Sequence, residues 1–196
     1  QVTESYDWLA KILIADKKYK AAQATLMEAI VRSPKAVLRQ MELARLAMLN
    51  GSYLIAEKAF RKAIVLGRHS CYSSPENYFQ YVRSLLVKID RSKSKLSRDA
   101  FLEARLFLKS MRKEVLRDPD ILVRSTWLES LVCGNYGVLD ERDKLLKKAT
   151  HQYNEFDEKL RIFYADEYVQ TLSLLGLTGE AELFMADFSA KFDLPI

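Results

Sequence analysis

Residues 9–30 read LAKILIADKKYKAAQATLMEAI, and residues 43–64 read LARLAMLNGSYLIAEKAFRKAI. The two stretches superpose at a fixed offset of 34 residues: Leu9 on Leu43, Ala10 on Ala44, Tyr19 on Tyr53, Ala22 on Ala56, Leu26 on Phe60 and Ala29 on Ala63. Within each stretch the apolar residues recur every three or four positions, which places each set on one helix face. The Lys17–Lys20 run breaks the first stretch, and Asn50-Gly51-Ser52 breaks the second. Asn-Gly suits the left-handed residue that ends a helix. Each stretch is therefore a helix, a turn and a helix. Ala10 and Ala22 let paired helices approach closely, and Leu26 fills the space toward the next pair. Pro34 stops the second helix.

A helix–turn–helix period of 34 residues is the tetratricopeptide signature. The chain resembles that family over Thr3–Leu66. It departs from the family pattern at Gln40, where a large apolar residue is usual, and at Arg68, where proline is frequent. The resemblance implies an all-α fold, a right-handed α-α superhelix.

Later segments continue the helical period more loosely. Ser74-Pro75-Glu76 and Asp118-Pro119-Asp120 read as helix starts: a capping side chain, a proline pre-set for the first turn, and an acid at the positive helix end. Residues 90–97 form a polar loop longer than the usual turn. Helices are expected over residues 121–132, 139–153, 160–175 and 180–192, with Gly176–Gly179 breaking the last two. The expectation is about five antiparallel helix pairs in one solenoid over residues 1–196, with repeats near 3–36, 37–70, 75–118, 119–155 and 156–192. No strand-like alternation runs over six positions. A first helix so close to Gln1, without a polar capping repeat, leads us to expect a segment of a longer chain.

Composition agrees. The 196 residues are 49% hydrophobic and 29% charged, which suits a folded domain, and six glycines and four prolines are too few for a turn-rich β-sandwich. No apolar run nears a membrane span and no signal-peptide core opens the chain, so a cytoplasmic protein without a membrane partner is expected. Cys71 and Cys133 read as reduced thiols.

Enzyme motifs are absent: no phosphate loop, dinucleotide fingerprint, HExxH or CxxC. Neither His69 nor His151 has a second ligand at metal spacing. His69 reads as a helix-end cation facing the negative dipole. Asn50-Gly51-Ser52 reads as a turn rather than a glycosylation site. Acidic neighbours such as Asp140, Glu141 and Asp143, or Asp166 and Glu167, point apart on a helix and read as solvated faces. No enzyme, cofactor or metal is expected.

Charge is more informative. Residues 88–117 hold ten basic and four acidic residues, a net +6 in a chain whose total is +5. That segment, with Lys109, Arg112 and Lys113, is the alternative candidate, a nucleic-acid-binding stripe. The leading candidate uses the repeat register. Lys11, Arg45 and Arg83 follow the small packing slot on successive first helices, the side that lines the concave groove in tetratricopeptide solenoids. A ladder of cations about 10 Å apart would result, over an adaptable floor of Met41, Met48 and Phe79. Such a groove takes a protein or peptide partner of acidic character. The family's two-carboxylate clamp is not reproduced, since Asp7 brings negative charge near its first station.

The junction Leu66–Ser70 and the following Ser73–Tyr78 resemble tetratricopeptide regions that follow a receiver domain in bacterial response regulators. That resemblance, over roughly Tyr6–Leu86, implies an output module or scaffold of two-component signalling.

Overall fold

The computed structural model describes residues 2–68, 70–114 and 118–192. His69, Val115 and Arg117 lie outside them. Ten α-helices occur among the described residues: α1 Val2–Ala15, α2 Tyr19–Arg32, α3 Val37–Leu49, α4 Tyr53–Gly67, α5 Pro75–Leu86, α6 Lys95–Glu114, α7 Pro119–Tyr136, α8 Leu139–Asn154, α9 Glu158–Leu174 and α10 Thr178–Phe192. The chain forms two compact units, Gln1–Val87 and Lys88–Ile196. The division falls inside the expected third repeat.

In the first unit each helix packs on the next, from α1 to α5. The reason lies in the small residues. Ala22, Ala44, Ala47 and Ala56 are each 0% exposed, so backbones meet closely where a longer side chain would hold them apart. Leu26 and its repeat equivalent Phe60 fill the space between pairs, both buried. Gln40 is buried where the family carries an apolar residue, and its amide Nε2 donates to the Pro34 carbonyl at 3.4 Å, which satisfies it. The turns explain the breaks read from sequence. Gly51 has φ +67°, and Lys17, 34 positions earlier, takes the same left-handed conformation at φ +58°. At the start of α5 the Ser74 hydroxyl accepts from the Glu76 amide at 3.3 Å, with Pro75 in the first turn.

In the second unit α7 is the central helix. It contacts α6, α8 and α9, and α9 packs on α10. It runs to Tyr136, four residues past the expected end, and Gly137 closes it at φ +88°. Buried hydroxyls of Ser125, Thr126 and Ser130 return their protons to carbonyls one turn back, so polar residues cross the core at little cost. Around α7 lies an aromatic core. The Trp127 ring centroid is 5.2 Å from Tyr168 and 5.4 Å from Tyr153, and Phe101 stacks on Tyr136 at 4.1 Å. Gly134 permits a close approach, because a Cβ there would fall 2.8 Å from Leu175 Cδ2. The loop before α6 is shorter than expected, since Lys95 already belongs to the helix; Ser97, fully buried, donates to the Asp90 carbonyl at 2.9 Å.

Candidate functional site

Helices α1 and α3 present a cleft of about 500 Å3 in the first unit. Its lining is mixed: Ala10, Ile14, Leu26 and Leu38 are apolar, while Asp7, Lys11, Arg39 and Glu42 are charged. Arg39 spans the two helices. Its Nε donates to Asp7 Oδ1 and its Nη2 to Asp7 Oδ2, both at 2.7 Å, and Nη1 donates to the Ser33 hydroxyl. This two-point ion pair fixes α1 against α3. The hydrogen bond from Arg39 holds the Asp7 carboxyl below the usual carboxylate range, against the opposing effect of partial burial. Asp7 thus stays ionised, with its charge paired to Arg39.

The ladder residues divide. Lys11 is exposed, with Nζ 4.9 Å from the centre of the Trp8 ring, itself 66% exposed. Arg45 is exposed and pairs with Glu42 at 3.3 Å. Arg83 is half-buried. Met41 and Met48 are half-buried, and Met41 Sδ accepts from Asn77 Nδ2 at 3.8 Å. Phe79 is a correction: at 1% exposure it belongs to the core and offers no surface to a partner. Helix α5 packs on α4, and a large apolar ring on a packed helix is ordinarily buried.

The basic alternative also needs correcting. Lys109 and Lys113 are exposed, but Arg112 turns inward. Its Nε donates to Ser125 Oγ at 2.7 Å, Nη2 to the Ser125 carbonyl at 2.8 Å, and Nη1 to Glu129 at 2.5 Å. Arg105 does likewise, donating to Glu129 at 3.0 Å and to Glu141 at 2.5 Å. Two cations of the segment are therefore spent on a carboxylate that is 6% exposed. Nothing in the spacing of α6 showed that Glu129, from the next helix, would call them in.

The remaining candidates are structural. Glu141 receives Arg105 of α6 and Glu167 takes Arg124 of α7 at 2.6 Å, so these two carboxylates join helices, while Asp143 pairs with its chain neighbour Arg142 within α8. His151 lies 3.4 Å from Glu155 on the surface. Burial pushes the Cys133 thiol up to about 12, leaving it protonated and inert at neutral pH. No cluster of three or more His, Cys, Asp or Glu suited to a metal occurs among the described residues, and no described helix is long and apolar enough to cross a membrane.

The chain folds as an all-α helical repeat of tetratricopeptide-like type. Its fold matches PilW, a widely conserved type IV pilus biogenesis factor, with TM-score 0.58 and 17% identity over 100% of this chain and 80% of that one. A structure of MamA protein matches with TM-score 0.62 and 16% identity over 99% and 97% of the two chains. A MamA RS-1 ArsTM double mutant matches with TM-score 0.60 and 13% identity over 96% and 93%. At such identities the likeness speaks for the fold. No protein-family model and no curated protein matches the chain.

Proposed function

We propose that this chain is a non-enzymatic protein–protein interaction scaffold that receives an acidic helix or extended acidic segment along the α1/α3 side of its first unit. The observation that carries this reading is the α1/α3 cleft, where Ile14 and Leu38 offer apolar surface beside the exposed Lys11. An apolar floor supplies affinity, and exposed cations steer and register an acidic partner. Arg45 and Arg83, at the corresponding stations of α3 and α5, extend the same preference along the unit.

The test is a comparison of captured partners. The triple variant Lys11→Glu, Arg45→Glu, Arg83→Glu loses partners from native lysate that a Lys109→Glu, Lys113→Glu variant retains. The opposite pattern would sink the groove and move the site to α6. The narrower reading, an output module of a receiver-containing response regulator, is supported by the resemblance of Leu66–Ser70 and Ser73–Tyr78. A receiver domain in the same reading frame upstream of Gln1 supports it, and an unrelated upstream frame removes it.

A further inference from the structure

Helix α6 sorts its cations by face. Arg105 and Arg112 turn toward α7 and bind Glu129. Lys95, Arg98, Lys109 and Lys113 are exposed and make no ion pair among the described residues. The chemistry fits the sorting: the planar guanidinium fork suits a buried carboxylate, while the strongly hydrated ammonium stays in water.

Between those outward cations lie Leu102 and Leu106, 57% and 64% exposed. The order Lys95, Arg98, Leu102, Leu106, Lys109, Lys113 steps by three, four, four, three and four residues. That spacing puts all six on one helix face. The strip spans about 27 Å of helix. Two cations stand at each end and a leucine pair in the middle; Asp99 and the half-buried Glu103 border the strip on one side.

A solvated helix face ordinarily alternates acids with bases and carries polar residues between them. Here the acids Asp99 and Glu103 stand to one side, and the strip itself carries four cations and two leucines. A phosphate-tracking stripe would place cations or stacking aromatics at its centre, not aliphatic side chains.

We propose that this α6 face is a second docking surface, distinct from the α1/α3 cleft, and that its occupant is an acidic amphipathic helix. The partner helix lays an apolar pair on Leu102 and Leu106 and sets carboxylates against the lysines and arginine at either end. Charge complementarity selects the partner and its register, and the leucines supply the apolar contact.

The probe is a fluorescent helical peptide of about 18 residues carrying two leucines four positions apart, with glutamates toward both ends. Anisotropy with the full chain should show saturable binding that weakens with salt. Leu102→Gln with Leu106→Gln should weaken it at least about tenfold, as loss of central anchors does. Lys109→Glu with Lys113→Glu should do the same, and a peptide with lysines at the matching end should recover that loss. The triple variant Lys11→Glu, Arg45→Glu, Arg83→Glu should lose at most the cleft's share of the probe and keep the component that depends on Leu102 and Leu106, which separates this surface from the cleft. Circular dichroism checks that each variant remains folded; the α6 changes are all on exposed positions, and Arg83 is half-buried. No binding of the probe overturns the proposal. So does binding indifferent to the leucine pair. Tighter binding to duplex DNA or to phosphatidylglycerol vesicles than to the peptide would assign the face to a different partner.

Discussion

Arg112 Nη1 donates to Glu129 Oε2 across 2.5 Å, joining the outer helix of the second unit to its central one. Glu129 Oε1 accepts from Arg105 as well, so one carboxylate joins two cations one helix over. The Glu129 side chain is 8% exposed, while the arginines keep 25% and 35%. A buried carboxylate without partners is costly, and this one has two charge-assisted donors.

Glu129→Ala should therefore destabilise the second unit by about 2–3 kcal/mol. That is below the cost of breaking a fully buried pair, because Arg112 keeps Ser125, Arg105 keeps Glu141, and both reach water. Glu141→Ala, on the more exposed arm, should cost about 1 kcal/mol or less. Urea unfolding of both variants checks the order; equal costs would mean that Glu129 does not hold the network.

The repeat register makes its own prediction. Ala56 is 0% exposed where α4 meets its neighbours. Ala56→Leu should overpack the contact and cost about 1–3 kcal/mol. A melting temperature unchanged by this substitution would refute the close packing.

The first two pairs were legible because one offset repeats both the small buried residues and the turn. Lys17 and Gly51 share a station, and both are left-handed. For lysine that conformation costs about 1 kcal/mol, which glycine avoids. Lys17→Gly should then be neutral to stabilising by about 0.5 kcal/mol after glycine's entropy is counted, and Gly51→Lys destabilising by about 1 kcal/mol. Chemical denaturation of the pair decides it. The second unit was less legible. Its helices show in the periodicity, but the inward turn of Arg105 and Arg112 depends on a buried acid 17 to 24 positions away. The Arg39–Asp7 pair is hidden for the same reason: 32 residues separate its members, and no local pattern joins them. Phe79 escapes the sequence because a ring on a helix face looks alike there whether it meets solvent or the next helix.

The two thiols should differ sharply. Cys71 is exposed, whereas Cys133 is buried with its thiol pushed up to about 12, by burial first and by Glu141 second. Ellman's reagent at neutral pH should label one thiol in the native chain and the second only on unfolding. Loss of the fast reaction in Cys71→Ser assigns it. Rapid labelling of Cys133 in folded protein would show that the α7 core opens readily.

Alkaline pH should reveal the aromatic core. Tyr153 and Tyr164 are both pushed up to about 12, chiefly by burial, and for Tyr164 also by its hydrogen bond to Asp120. Tyr153 donates to the Arg161 carbonyl at 2.6 Å and Tyr164 to Asp120 at 2.8 Å. The folded values stand above the ordinary phenol value of 10.0. Between those limits the native chain holds protons that the unfolded chain releases, so unfolding is favoured as pH rises. The stabilisation is whole below about 10 and drains away toward about 12. Absorbance at about 295 nm and helical circular dichroism, followed together, should show these two phenolates appearing with loss of helix. Tyr153→Phe with Tyr164→Phe should lower stability at neutral pH by about 1–2 kcal/mol, through the two lost hydrogen bonds. The same double variant should also make the alkaline loss shallower, because the protons that drive it are gone. Full phenol ionisation near pH 10 with the helix signal intact would overturn this account of the core.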